Sequence, residues 1–183
     1  MTLNSRAPIS RPAIAAVDLV PRAPVRLIGG EIEKATTGPC TRRFWEFYNT
    51  LPRDDGLPHR SSAGAETLRP WLGNLMILDP IDGGQDFQYR LYGSEIARFC
   101  GFDMTARLVS SFSSKTGSFF LDSYKTCLSG AEPVLTQNVA EHVSGMVMWE
   151  RLLVPFRIRQ NELQIVATNY PSSLVGKASL DRG

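Results

Sequence analysis

The spacing of hydrophobic residues changes period along this chain. Phe44, Phe47, Tyr48 and Leu51 recur at i, i+3, i+4 and i+7, the apolar stripe of a helix over 41–51. Pro52 ends that pattern, and Asp54, Asp55 and Gly56 form a turn. Residues 57–65 are a polar loop. Leu68-Arg69-Pro70-Trp71-Leu72 then makes a short amphipathic turn closed by Gly73. Residues 74–79 are apolar on both faces, as in a strand covered on two sides. Asp82-Gly83-Gly84 signals a hairpin. The returning strand, 86–92, alternates: Phe87, Tyr89 and Leu91 face one way, Gln88, Arg90 and Tyr92 the other.

After Gly93 the helical period returns. Ser94 is the expected N-cap of a short helix that puts Ile96, Phe99 and Cys100 on one face, and Gly101 ends it. Residues 102–112 are irregular. A longer helix is predicted over 117–128, with Phe120, Tyr124, Cys127 and Leu128 as its stripe and Gly130 and Pro133 as its stop. Three strands follow, at 133–140, 146–156 and 162–170, separated by turns around His142 to Gly145 and Arg159 to Asn161. Strands joined by tight turns run antiparallel. The predicted class is therefore α+β: a five-stranded antiparallel sheet, short helices on one face and an N-terminal flanking helix. A sheet capped in this way leaves room for a ligand between its layers.

The ends differ from this core. Five of the twelve prolines fall in the first forty residues, and proline excludes long helices and interior strands. Residues 1–40 are predicted to be an extended or disordered leader, with a short strand or turn near 25–32. The folded domain is expected over 41–171, and 172–183 read as a polar tail.

Composition narrows the function. With 183 residues, 43% hydrophobic and 21% charged, the chain supports one globular domain with its own core. A net charge of +2 and the lack of a basic stripe argue against a nucleic-acid partner. Cys40, Cys100 and Cys127 are widely spaced with no CxxC pair, so neither a disulfide framework nor a zinc ribbon is expected. A reducing, cytoplasmic setting follows. The apolar run Leu75 to Leu78 stops at Asp79, far short of the ~20 residues a membrane span needs, so no membrane anchor is expected.

Three stretches carry a resemblance: Leu68-Arg69-Pro70-Trp71-Leu72-Gly73-Asn74-Leu75-Met76, Phe87-Gln88-Tyr89-Arg90-Leu91-Tyr92-Gly93, and Trp149-Glu150-Arg151-Leu152-Leu153-Val154-Pro155-Phe156. In order and spacing they resemble the bacterial family of stand-alone PAS domains, which lack an attached kinase. The resemblance covers residues 41–170. It implies a PAS fold that binds a small molecule in the cup under its helices and signals to a partner protein by contact. It also implies a homodimer, paired through the outer sheet face or the N-terminal helix. The alternative is a ligand-free adaptor or dimerisation module, with the 41–51 helix and the 146–156 strand as its interface.

Cofactors are tested by their motifs. Flavin-binding photosensors of this class carry a reactive cysteine in Asn-Cys-Arg-Phe-Leu. Here Cys100 lies in Arg98-Phe99-Cys100-Gly101-Phe102, which lacks those neighbours and reads as core, so flavin is disfavoured. Haem-binding members draw an axial histidine from the longer helix. This chain has only His59 in a polar loop and His142 in a turn, so haem and other metals are disfavoured. The cofactor, if there is one, stays unidentified.

The candidate ligand-binding residues are Tyr89, Arg90, Phe99, Phe120, Tyr124, Trp149 and Arg151. The aromatic members, with Phe102 and Phe119, suit stacking on a flat ligand, although such residues more commonly fill a core. The charged ones lie inside predicted strands, where a charge needs a partner. The favoured reading pairs Arg90 with Glu150 across strands. The other has Arg90 or Arg151 holding a ligand carboxylate or phosphate. Alternation sends Glu150 and Arg151 to opposite faces, so at most one of them enters the cup. No P-loop, GxGxxG, HExxH or GxSxG motif is present, and the expectation is a binding module, not an enzyme.

Overall fold

Both faces of the central sheet are apolar, so each must be covered, and the chain covers them with different helices. The computed structural model describes residues 25–28, 31–36, 38–112, 114–142 and 145–175. In order these form β1 (Val25–Ile28), α1 (Glu31–Ala35), α2 (Pro39–Thr50), the small hairpin β2 (Arg53–Asp54) and β3 (Leu57–Pro58), and α3 (Ala65–Leu68). Then come β4 (Leu75–Ile81), β5 (Asp86–Tyr92), α4 (Ser94–Cys100), α5 (Ser114–Gly130), β6 (Val134–His142), β7 (Gly145–Arg159) and β8 (Glu162–Val175).

The main sheet runs β1-β6-β7-β8-β4-β5, every neighbouring pair antiparallel. The five expected strands are β4 to β8. The sixth, β1, comes from the segment expected as leader and pairs Val25 with Gln137 through Ile28 with Val134. Past Pro24 the residues Val25, Leu27 and Ile28 favour strand, and nothing before Gly29 breaks them. The leader boundary therefore moves back: Glu31–Ala35 is a helix as well, and residues 1–24 lie outside the described residues. At the other end β8 runs to Val175, into the predicted tail, because its last residues pair with the start of β7. Residues 176–183 are outside the described residues.

The outer face is covered by α1 and α2. Helix α2 starts on Pro39, which supplies a preset φ where no N–H is needed. Its predicted stripe buries Phe44, Tyr48 and, just beyond, Leu51, together with Ile32, against Leu75, Ile77, Leu152, Val154, Phe156 and Val166. The Tyr48 hydroxyl donates to the Pro155 carbonyl at 3.0 Å, which fixes the helix above β7. The inner face is the cup. There α4 and α5 bury Ile96, Phe120, Tyr124 and Cys127 against Met76, Leu78, Phe87, Tyr89, Val134, Leu153, Ile165 and Ala167.

The N-cap of α4 is Gly93, not Ser94, and it makes no side-chain cap. The reason is space. A Cβ on Gly93 would overlap the Gly73 carbonyl group, 2.6 Å from its carbon, and would lie 2.9 Å from the Leu75 nitrogen. Two backbones cross there, and only glycine lets α4 seat over the start of β4. Gly93→Ala is expected to destabilise the chain by roughly 3 kcal/mol, the upper end for overpacking. Urea unfolding measures this, and an unchanged midpoint would show that the crossing yields.

Candidate functional site

Cross-strand register decides which side chains share the cup. Residues opposite one another in an antiparallel pair point to the same face. Leu153, opposite Val134 and Ala167, lies in the inner core, so Arg151, two residues earlier on β7, faces the cup as well. Arg151 sits opposite Thr136 on β6 and Asn169 on β8. Trp149 sits opposite Asn138 on the same face. The floor of the cup is thus a polar row, Thr136, Arg151 and Asn169, with Asn138 at one corner.

The roof comes from α5. Phe120 and Tyr124 are one helical turn apart and reach the same place. The Arg151 guanidinium lies over the Phe120 ring, 4.0 Å from its centroid, and Nη1 donates to the Tyr124 hydroxyl at 3.3 Å. The hydroxyls of Tyr124 and Tyr89 are 2.9 Å apart and hydrogen-bonded. Four of the expected residues, Tyr89, Phe120, Tyr124 and Arg151, therefore meet. Phe99 and Trp149 meet at the α4 end, edge to face with centroids 5.0 Å apart, beside Val147 and Cys100. Phe102 packs on Tyr92 and Phe112, and Phe119 on Phe120, around the same core.

Arg90 is elsewhere, and its expected partner is wrong. It pairs with Asp79 at 2.7 Å and is 63% exposed. The pairing of β4 with β5 shifts between Ile77–Leu91 and Leu78–Tyr89, which leaves Arg90 as the extra residue of a β-bulge. The bulge also reverses the alternation expected beyond it: Tyr92 turns to the cup and Leu91 to the outer core. Glu150 is fully buried on the outer face, where it accepts from the Gly38 N–H at 3.0 Å and the Gln137 amide at 3.1 Å.

Sequence reading missed Thr136, Asn138 and Asn169. All three are buried, and Thr136 Oγ1, Asn138 Oδ1, Asn169 Oδ1 and Arg151 Nε have no hydrogen-bond partner among the described residues. Their signal was faint: polar residues at inward positions of otherwise apolar strands. His59, expected to be solvated, is exposed, yet its ring is tied to the Ile158 carbonyl at 2.8 Å and the Ser61 hydroxyl at 2.6 Å. The side chain of His142 lies outside the described residues.

Burial pushes the phenols of Tyr89 and Tyr92 well above their ordinary range. Tyr124 adds to the rise at Tyr89, Cys100 adds to it at Tyr92, and Arg151 opposes both. Burial likewise raises the thiols of Cys100, which accepts from the Tyr92 hydroxyl, and of Cys127. Neutral thiols of this kind are poor nucleophiles.

A sheet ordered β6-β7-β8-β4-β5, with helices inserted between β5 and β6 and cupped over one face, defines the class of small sensory folds. A protein-family model described as "PAS domain" matches residues 36–168. The chain belongs to the PAS-domain family, and in that general sense it is a sensory and signalling module. A solved structure described as an RNA-binding light-oxygen-voltage receptor aligns at 15% identity and a TM-score of 0.40, over 67% of this chain and 36% of the receptor chain. This chain thus spans about a third of that receptor's length. No curated protein matches. None of the helices among the described residues is long and apolar enough to cross a membrane.

The raised phenols set an alkaline limit. Tyr48 and Tyr170 are pushed up to about 12, mainly by burial, and Tyr89 and Tyr92 are raised too. Their folded values exceed the ordinary 10.0, so the stability they lend is complete below pH 10.0 and is lost as pH rises toward the folded values. Phenolate absorbance is expected to lag behind that of free tyrosine and to jump as the chain unfolds, with the thermal midpoint falling over the same window. A titration that tracks free tyrosine in a chain still folded would refute this.

Proposed function

We propose that the chain senses a small molecule held between α5 and the cup face of the sheet, and reports its state through contact with another protein. In this reading it binds and does not catalyse. One observation carries it: four buried polar side chains, Thr136, Asn138, Arg151 and Asn169, present unpartnered atoms on one patch of the cup. Buried polar atoms are ordinarily satisfied, so a cluster of orphans points to a guest that supplies the missing bonds.

The adaptor reading has less support. The apolar face of α2 is packed on the sheet, and β7 lies between β6 and β8. The elements that reading would use as an interface bury those surfaces within the chain.

Strand β7 offers the route by which occupancy is read. It carries Arg151 into the cup and Glu150, its neighbour, to the Gly38 N–H at the start of α2. A guest that shifts β7 changes the hold on the N-terminal helices, the surface a partner would read.

The test is native beside denaturing mass spectrometry on the full chain purified from its own host. Excess mass that is lost on denaturation is expected, and it should fall sharply in Tyr124→Phe and Trp149→Phe with the circular dichroism unchanged. Bare polypeptide mass in both spectra, or a guest retained by both variants, would sink the assignment of the cup.

A further inference from the structure

We propose that the guest of the cup is a small organic carboxylate carrying a single negative charge, anchored by Arg151. The proposal rests on the ligand-binding reading above and adds the chemistry of the ligand.

The argument begins with charge. Arg151 is the one cation among the buried residues described, 5% exposed. The ion pairs formed among the described residues, Arg90 with Asp79, Arg98 with Glu95 and Arg159 with Glu162, lie away from it, and none contributes a carboxylate to it. Glu150, adjacent in sequence, points to the opposite face and is engaged by Gly38 and Gln137. A guanidinium stays protonated at any ordinary pH, so unlike lysine it cannot escape burial by losing its proton. A buried charge without a counter-charge is among the costliest arrangements in a fold. One negative charge in the cup answers it.

Hydrogen-bond counting points the same way. Nη1 reaches the Tyr124 hydroxyl, and the buried Nε–H has no acceptor. The Tyr89 and Tyr124 oxygens are bonded to each other at 2.9 Å, which uses one of their two hydroxyl hydrogens. The other has no acceptor among the described residues. Two unused donors at one spot call for an acceptor. An ionised carboxylate accepts on both oxygens, donates nothing, and matches the fork of a guanidinium.

The count of cations separates carboxylate from phosphate. A phosphate monoester carries nearly two charges at neutral pH and is usually met by more than one cation or a helix terminus. Among the described residues the cup provides one guanidinium. The Phe120 ring, 4.0 Å from it, shields one flat face and leaves the guanidinium edge to engage a planar group. Beyond it the Phe99–Trp149 pair offers an apolar wall for the carbon body of the acid.

The experiment follows the guanidinium Nε–H resonances of the isotope-labelled full chain, the Arg151 signal being the one missing in Arg151→Lys. The probes are acetate, benzoate and butyrate, their amides acetamide, benzamide and butyramide, and inorganic phosphate. The expected result is that at least one carboxylate moves the Arg151 signal saturably and raises the thermal midpoint. Its amide should do neither, and Tyr124→Phe, which keeps the ring, should weaken binding at least tenfold. The proposal is overturned if no carboxylate moves the signal, if an amide moves it as well as its acid, or if phosphate binds more tightly than every acid. A neutral compound carried by the native chain would leave the ligand-binding reading standing and remove the carboxylate. Bare polypeptide mass together with silent probes would remove both.

Discussion

Two opposite charges sit next to each other on β7 and cannot meet. Strand geometry turns successive side chains to opposite faces, and β7 lies inside the sheet with both faces buried. Glu150 and Arg151 must therefore be satisfied separately, each by what its own layer supplies. On the outer side the Gly38 N–H and the Gln137 amide meet Glu150, while Gln137 also donates to the Ala35 carbonyl at 3.3 Å. The junction of α1 and α2 is thereby fixed to the sheet. On the inner side Arg151 holds Phe120 and Tyr124, and so sets where α5 lies. The outer layer closes its polar accounts more fully than the inner one.

The two layers differ in kind as well. The outer core is mostly aliphatic, with the aromatic rings of α2 and Trp71 laid across it. The inner core is a mesh of rings. Tyr89 meets Tyr92 and Tyr124 edge on, Phe87 meets Tyr124, and Phe112 meets Phe120. Edge-to-face pairs have preferred angles and add about 0.5–1.5 kcal/mol each beyond area burial. Such a mesh holds its walls in place while the floor beneath it stays polar.

What the sequence disclosed followed the range of each signal. The stripe of α2, the stripe of α5 and the order of β4 to β8 depend on near neighbours in sequence, and all were legible. The parting of Glu150 and Arg151 to opposite faces was legible too, from alternation alone, but which of them enters the cup was not. The environment of Arg90 was not. Its bulge arises from how β5 registers against β4, which one strand's own pattern does not encode. Its partner Asp79 lies across that hairpin. Thr136, Asn138 and Asn169 each look ordinary within their strands, and only pairing among β6, β7 and β8 gathers them around Arg151. The short strand β1 was legible only as a strand or turn near 25–32, and its place in the sheet was not, because its partner is more than a hundred residues away.

The bulge at Arg90 has a consequence for life in a crowded solution. β5 is the last strand of its sheet, and an open, flat final strand invites a stranger's backbone to continue the ladder. Here the invitation is withdrawn twice. The chain folds residues 106–107 back along it, with the Tyr89 N–H donating to the Arg107 carbonyl and the Ala106 N–H to that of Tyr89. The bulge kinks what remains and sets a charged side chain on it. That end of the sheet is thereby closed to edge-on pairing with another chain.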